Sequence, residues 1–140
     1  MTIAIKQLAH IGIRISDLER SLAFYRHFGF EPVYEDPNDA VVILTDSNGL
    51  EINFIINADP SSEPHNILMD GDTKHPGYTH VALEISSYQD LVDYCAAHDI
   101  EVSSGPVDLS DGVSLFVRDP DRNVIELREN GVRVGHAYEG

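Results

Sequence analysis

His10-Ile11-Gly12-Ile13-Arg14-Ile15-Ser16 and His80-Val81-Ala82-Leu83-Glu84-Ile85-Ser86 are one pattern written twice. Each opens on a histidine, alternates apolar and other residues with the period of a strand, and closes on a serine. A helical pattern follows both times. In the first copy Ser16 and Glu19 have the spacing of a capping box, and Leu18, Leu22, Tyr25 and Phe28 recur on one helical face. In the second, Ser86 or Ser87 caps a helix that buries Leu91, Val92 and Cys95. Both helices run out near a histidine, His27 and His98, before a short extended segment.

The repeat continues further out. Val42 to Ile52 reads against Phe116 to Leu127 with a one-residue gap, each as strand, polar turn and strand, the turn marked by Asp and Asn. Each copy is therefore β-α-β-β-β, and the fold class is α+β with two such modules. Residues 5–57 form the first module and 78–129 the second. Between them, 58–77 carries Pro60, Pro64, Pro76, Gly71 and Gly77 and reads as a linker. Residues 130–140 are a polar tail.

The 140 residues suit a single domain, with 42% apolar residues to build its core. There are 24 Asp and Glu against 9 Lys and Arg, a formal charge of −15. That balance repels phosphate backbones and anionic lipid, so neither nucleic acid nor membrane is an expected partner. No stretch has the apolar length of a membrane span, the N-terminus lacks signal-peptide features, and the lone Cys95 has no internal disulfide partner. A cytoplasmic location is the expectation.

Strand parity selects the candidate site. Ile11, Ile13 and Ile15 face the helices, so His10, Gly12 and Arg14 take the opposite face. The same rule places His80 opposite Val81, Leu83 and Ile85. It sets Glu51 and Asn53 opposite a row of Leu50, Ile52, Phe54 and Ile56, and Glu126 opposite Ile125 and Leu127. Two imidazoles and two carboxylates suit Ni²⁺, Co²⁺, Zn²⁺, Mn²⁺ or Fe²⁺. The absence of cysteine ligands argues against a closed structural zinc site.

With these segments the chain resembles the vicinal oxygen chelate superfamily, and within it short bacterial glyoxalase I. The carrying stretches are His10 through Arg26, Gly77-Tyr78-Thr79-His80-Val81-Ala82-Leu83, Gly105-Pro106-Val107, and Phe116-Val117-Arg118-Asp119-Pro120-Asp121 on to Ile125-Glu126-Leu127. The resemblance spans roughly residues 8–128. It implies paired modules around a divalent metal held by His10, Glu51, His80 and Glu126. It implies a lyase or isomerase that moves a proton on a hemithioacetal-type substrate through an enediolate, with Glu126 as base and Glu51 opposite. Arg14 matches a family arginine that grips a glutathione carboxylate. The asparagine expected four residues past the second ligand is replaced by Ile55; Asn53 and Asn57 lie nearby, and Asn53 is the candidate substrate contact. A homodimer is implied, its modules paired within a chain or exchanged between two.

Two other readings compete. An Fe²⁺ extradiol ring-cleaving dioxygenase would use His10, His80 and Glu126, and Glu51 as a fourth ligand would remove an open position. A non-catalytic protein that binds a small molecule or antibiotic would want aromatic residues lining its cavity. The chain has no Trp, and Phe24, Tyr25 and Phe28 belong to helix packing.

Overall fold

The computed structural model describes residues 1–36, 38–59 and 63–136. Pro60 of the expected linker and residues 137–140 of the tail lie outside them. The fold is α+β, with two βαβββ modules. In the first, β1 (Ile11–Arg14), α1 (Leu18–Arg26), β2 (Glu31–Asp36), β3 (Val41–Thr45) and β4 (Glu51–Ile55) form a sheet of order β1-β4-β3-β2. In the second, β5 (His80–Glu84), α2 (Tyr88–Ala97), β6 (Val102–Asp108), β7 (Gly112–Arg118) and β8 (Val124–Asn130) give β5-β8-β7-β6. The first and last strands of each module pair parallel, and the other neighbours pair antiparallel.

Alternation along the strands builds each core. In the first module Ile15, Leu22, Tyr25, Phe30, Val42, Leu44, Ile52 and Phe54 are buried, and Tyr25 packs edge-on against both Phe30 and Phe54. In the second, Leu91 and Cys95 of α2 are buried, as are Val113, Leu115, Val117, Ile125 and Leu127 of the sheet. Leu50, expected in the inward row, is exposed because it closes the turn before β4 begins.

The helix starts follow a different residue from the one expected in α1. Asp17, in extended conformation, accepts from Arg20 N–H at 2.9 Å, so it and not Ser16 is the N-cap. The helix begins one residue later than a Ser16 cap requires, which points the Asp17 carboxylate at the free amides. Ser87 caps α2 by accepting from Asp90 N–H.

The chain forms two compact units, Met1–Glu63 and Pro64 onward. Residues read as linker from Pro64 are thus built into the second unit. Asn66 Oδ1 accepts from Leu68 and Met69 N–H, and Asp70 is gripped by Arg122 Nε at 2.7 Å and an Arg118 amino group at 3.1 Å. The tail is also anchored: the buried Asp108 carboxylate accepts from Val134 and Gly135 N–H. These amides hold its carboxyl below the usual carboxylate range. Gly105, at φ +91° before a cis proline, sits where a Cβ would lie 2.7 Å from the Ser114 carbonyl oxygen.

Candidate metal centre

Within the second module, β5 and β8 lie side by side, so their alternate residues share one face. His80 Nε2 stands 3.1 Å from Glu126 Oε1. The other oxygen, Oε2, accepts a 2.7 Å hydrogen bond from the fully buried Ser114 hydroxyl on β7. Behind Ser114, an Arg128 amino group donates to its Oγ at 3.3 Å. His80 Nδ1 is 2.9 Å from Thr79 Oγ1, and its ring meets Phe116 edge-on at 6.0 Å. Glu126 itself is only 8% exposed. The pair opens into a cavity of about 570 Å³ lined also by Thr79, Ser104, Phe116 and Arg118.

In the first module, β1 runs parallel to β4, and His10 Nδ1 stands 3.5 Å from Glu51 Oε2. Asn53, on the same face of β4, buries its side-chain carbonyl oxygen with no hydrogen-bond partner among the described residues. Across from it on β1 is Gly12, where a Cβ would meet nothing within 4 Å. Arg14 is exposed and donates through Nε to Asn57 Oδ1 at 3.0 Å.

Among the described residues no three His, Cys, Asp or Glu side chains cluster as a metal site. The donors come as two pairs, one in each module. The donor chemistry fits a divalent ion in the second pair. Two ligands about 2.1 Å from one ion and at right angles stand about 3.0 Å apart, and His80 Nε2 and Glu126 Oε1 have that spacing. The Glu126 carboxylate accepts from Nε2–H and Nδ1 accepts from the Thr79 hydroxyl, so the ring is held in orientation from both sides, and a bound ion would take the place of the Nε2 proton.

Strand parity selects four candidate ligands for one centre, and the structure pairs them within each module as His10–Glu51 and His80–Glu126. Parity missed Ser114 and Thr79. Ser114 had a readable signal, a lone hydroxyl inside the apolar run Val113-Ser114-Leu115. Its partnership with Glu126 depends on strand register, which no periodicity reveals.

The family description Glyoxalase/Bleomycin resistance protein/Dioxygenase superfamily matches residues 7–127. The chain belongs to this superfamily. Solved structures of similar fold include a glyoxalase/dioxygenase from Nostoc punctiforme, 17% identical, covering 93% of this chain and 98% of that one, at a TM-score of 0.70. The genomically encoded fosfomycin resistance protein FosX of Listeria monocytogenes is 21% identical over 91% of this chain and 95% of its own, at 0.65. A virulence protein from Salmonella typhimurium is 24% identical over 91% and 99%, at 0.66. No individually curated protein matches the chain. At these identities the solved structures show the superfamily's fold and leave the reaction to be argued from the site.

Proposed function

We propose that the chain is a divalent-metal-dependent enzyme of the superfamily, a glyoxalase I-like lyase or isomerase acting on a hydroxy-carbonyl substrate of hemithioacetal type. The observation that supports it is the Glu126 carboxylate. It is buried, faces the cavity's His80 through one oxygen, and is held by the Ser114 hydroxyl through the other. A carboxylate so placed is an oriented proton acceptor.

His80 and Glu126 would hold the ion from the second module and His10 from the first, in one chain or across a homodimer. When bound, the ion supplies Lewis-acid charge to substrate oxygens that become negative as a carbon-bound proton leaves. Glu126 takes that proton and returns it to the neighbouring carbon. Arg14 and Asn53 contact the substrate in this reading. Glu51, the fourth ligand expected from the sequence, lies two positions from Asn53 on the same face of β4. Which of these two reaches the ion sets the number of carboxylates at the centre.

Protein purified without chelators and titrated with Mn²⁺, Ni²⁺ and Co²⁺ tests the metal. Stoichiometric uptake, weakened in Glu126→Gln, is the expected result; a wild type that takes up none of them sinks the proposal. Hemithioacetals of several thiols test the chemistry. Turnover of at least one, reduced about 10²–10⁴-fold in Glu126→Gln, supports it. Metal uptake with no turnover of any, together with oxygen consumption on catechols by the Fe²⁺ form, would replace it with the dioxygenase reading.

A further inference from the structure

The two modules provide an internal ruler for the metal ligands, and it does not put Glu51 where Glu126 stands. On the first strand of each module His10 corresponds to His80 and Gly12 to Ala82. Gly12 pairs with Asn53, whereas Ala82 pairs with Glu126. The antiparallel neighbours agree: Ile43 pairs with Asn53, and Phe116 with Glu126. So do the hydrogen bonds just past these strands, since Ile15 N–H donates to the Ile55 carbonyl and Ile85 N–H to the Arg128 carbonyl. Both are two residues beyond, in turn, Asn53 and Glu126.

The turns before β4 and β8 close the argument. Asp46 N–H donates to the Leu50 carbonyl and Asp119 N–H to the Asn123 carbonyl. The Asp46 carboxylate accepts from Asn48 and Leu50 N–H, and the Asp119 carboxylate from Asp121 and Asn123 N–H. The loops are the same turn at the same length, so the gap needed to bring Glu51 onto Glu126 is absent. Counted from either aspartate, Asn53 matches Glu126 and Glu51 matches Val124.

We propose that Asn53 occupies the ligand position of the first module's fourth strand, and that Glu51 is a positioning residue that orients His10. This rests on the metal-dependent reading above and refines its ligand set. The ring atom that Glu51 faces is Nδ1, the nitrogen remote from the one His80 turns toward its own carboxylate. A carboxylate accepting from Nδ1–H fixes the tautomer and leaves Nε2 free to ligate. On His80 the corresponding ring nitrogen is engaged by the Thr79 hydroxyl. At the neighbouring position, the buried Asn53 carbonyl oxygen without a partner is a neutral donor held ready, beside the open space over Gly12. Burial of such an oxygen is unfavourable unless something donates to it or coordinates it.

The test compares Mn²⁺ and Co²⁺ dissociation constants, measured by chelator competition, with the visible spectrum of the Co²⁺ form. Asn53→Asp adds charge at the ligand position and is expected to tighten Mn²⁺ binding about tenfold or more and shift the Co²⁺ bands. Glu51→Gln keeps an acceptor for Nδ1–H and is expected to stay within about threefold of wild type, while Glu51→Ala loses about 10–100-fold. A wild type that binds metal, with Glu51→Gln losing as much as Glu126→Gln and Asn53→Asp neutral, overturns the inference alone. A wild type that binds no metal overturns the parent reading. Nitrogen-15 spectra of the His10 ring in metal-free protein give an independent readout. The Nδ1–H tautomer in wild type and its loss in Glu51→Ala support the orienting role; an unchanged tautomer removes it.

Discussion

Ser114 shows how a single buried hydroxyl divides the work of a carboxylate. With Oε2 of Glu126 engaged at 2.7 Å, only Oε1 is left toward His80. Ser114→Ala frees the carboxylate to rotate and leaves the Arg128 amino group without that acceptor. Metal affinity is expected to fall about tenfold, the lower end of the range for a lost outer partner, with the fold intact by circular dichroism. Unchanged affinity would show that strand packing alone holds Glu126. The pairing was legible from the sequence here, because parity put His10 on a face with Glu51 and His80 on a face with Glu126, and each pair stands together. Position along β4 was not. Aligning glutamate with glutamate is the natural choice in a sequence, whereas hydrogen-bond frames align Glu126 with Asn53. The asparagine that the family resemblance expects four residues past the second ligand then falls on Asn57, which accepts from Arg14.

Among the elements, both βαβββ modules were legible, since strand and helix periodicities repeat with the same punctuation. The segment after Pro64 was not, because its proline and glycine content describes a linker while its contacts are long-range. Asp70 closes onto Arg118 and Arg122, residues that flank the β7–β8 turn. The Arg122 hydrogen bond leads in holding the Asp70 carboxyl well below its usual range. A carboxylate with a depressed folded-state pKa contributes stability that is present above its unfolded value, about 3.9. That stability is lost as pH falls further, toward the lower folded-state value. Asp70→Asn is therefore expected to lower stability at pH 7 by about 2 kcal/mol, the scale of hydrogen bonds to charged groups. Below pH 4 the gap between variant and wild type should narrow. Urea midpoints at pH 7 and pH 3 measure both; equal midpoints at pH 7 would mean the latch contributes nothing.

Over the whole molecule, the charge of −15 acts on every local term at once. Self-repulsion among 24 acidic side chains opposes the folded state, where they are closer together than in the unfolded chain. The Ser114–Glu126 contact is buried and the Asp70–Arg118 pair partly so, and salt screens these two little. Raising ionic strength from about 0.01 M to 0.15 M shortens the screening length from about 30 Å to about 8 Å. Repulsion between surface carboxylates should then fade while the internal pairs persist, and the melting temperature should rise with sodium chloride. A divalent ion that binds the folded state adds stabilisation by mass action, growing with its concentration beyond that of equal ionic strength. Melting curves in sodium chloride, and in matched ionic strength with Mn²⁺, separate the two. A temperature that falls with sodium chloride would show that exposed ion pairs such as Arg26–Glu31 outweigh the net repulsion. If Mn²⁺ gives no increment in wild type beyond that seen in Glu126→Gln, its stabilisation is screening and not coordination.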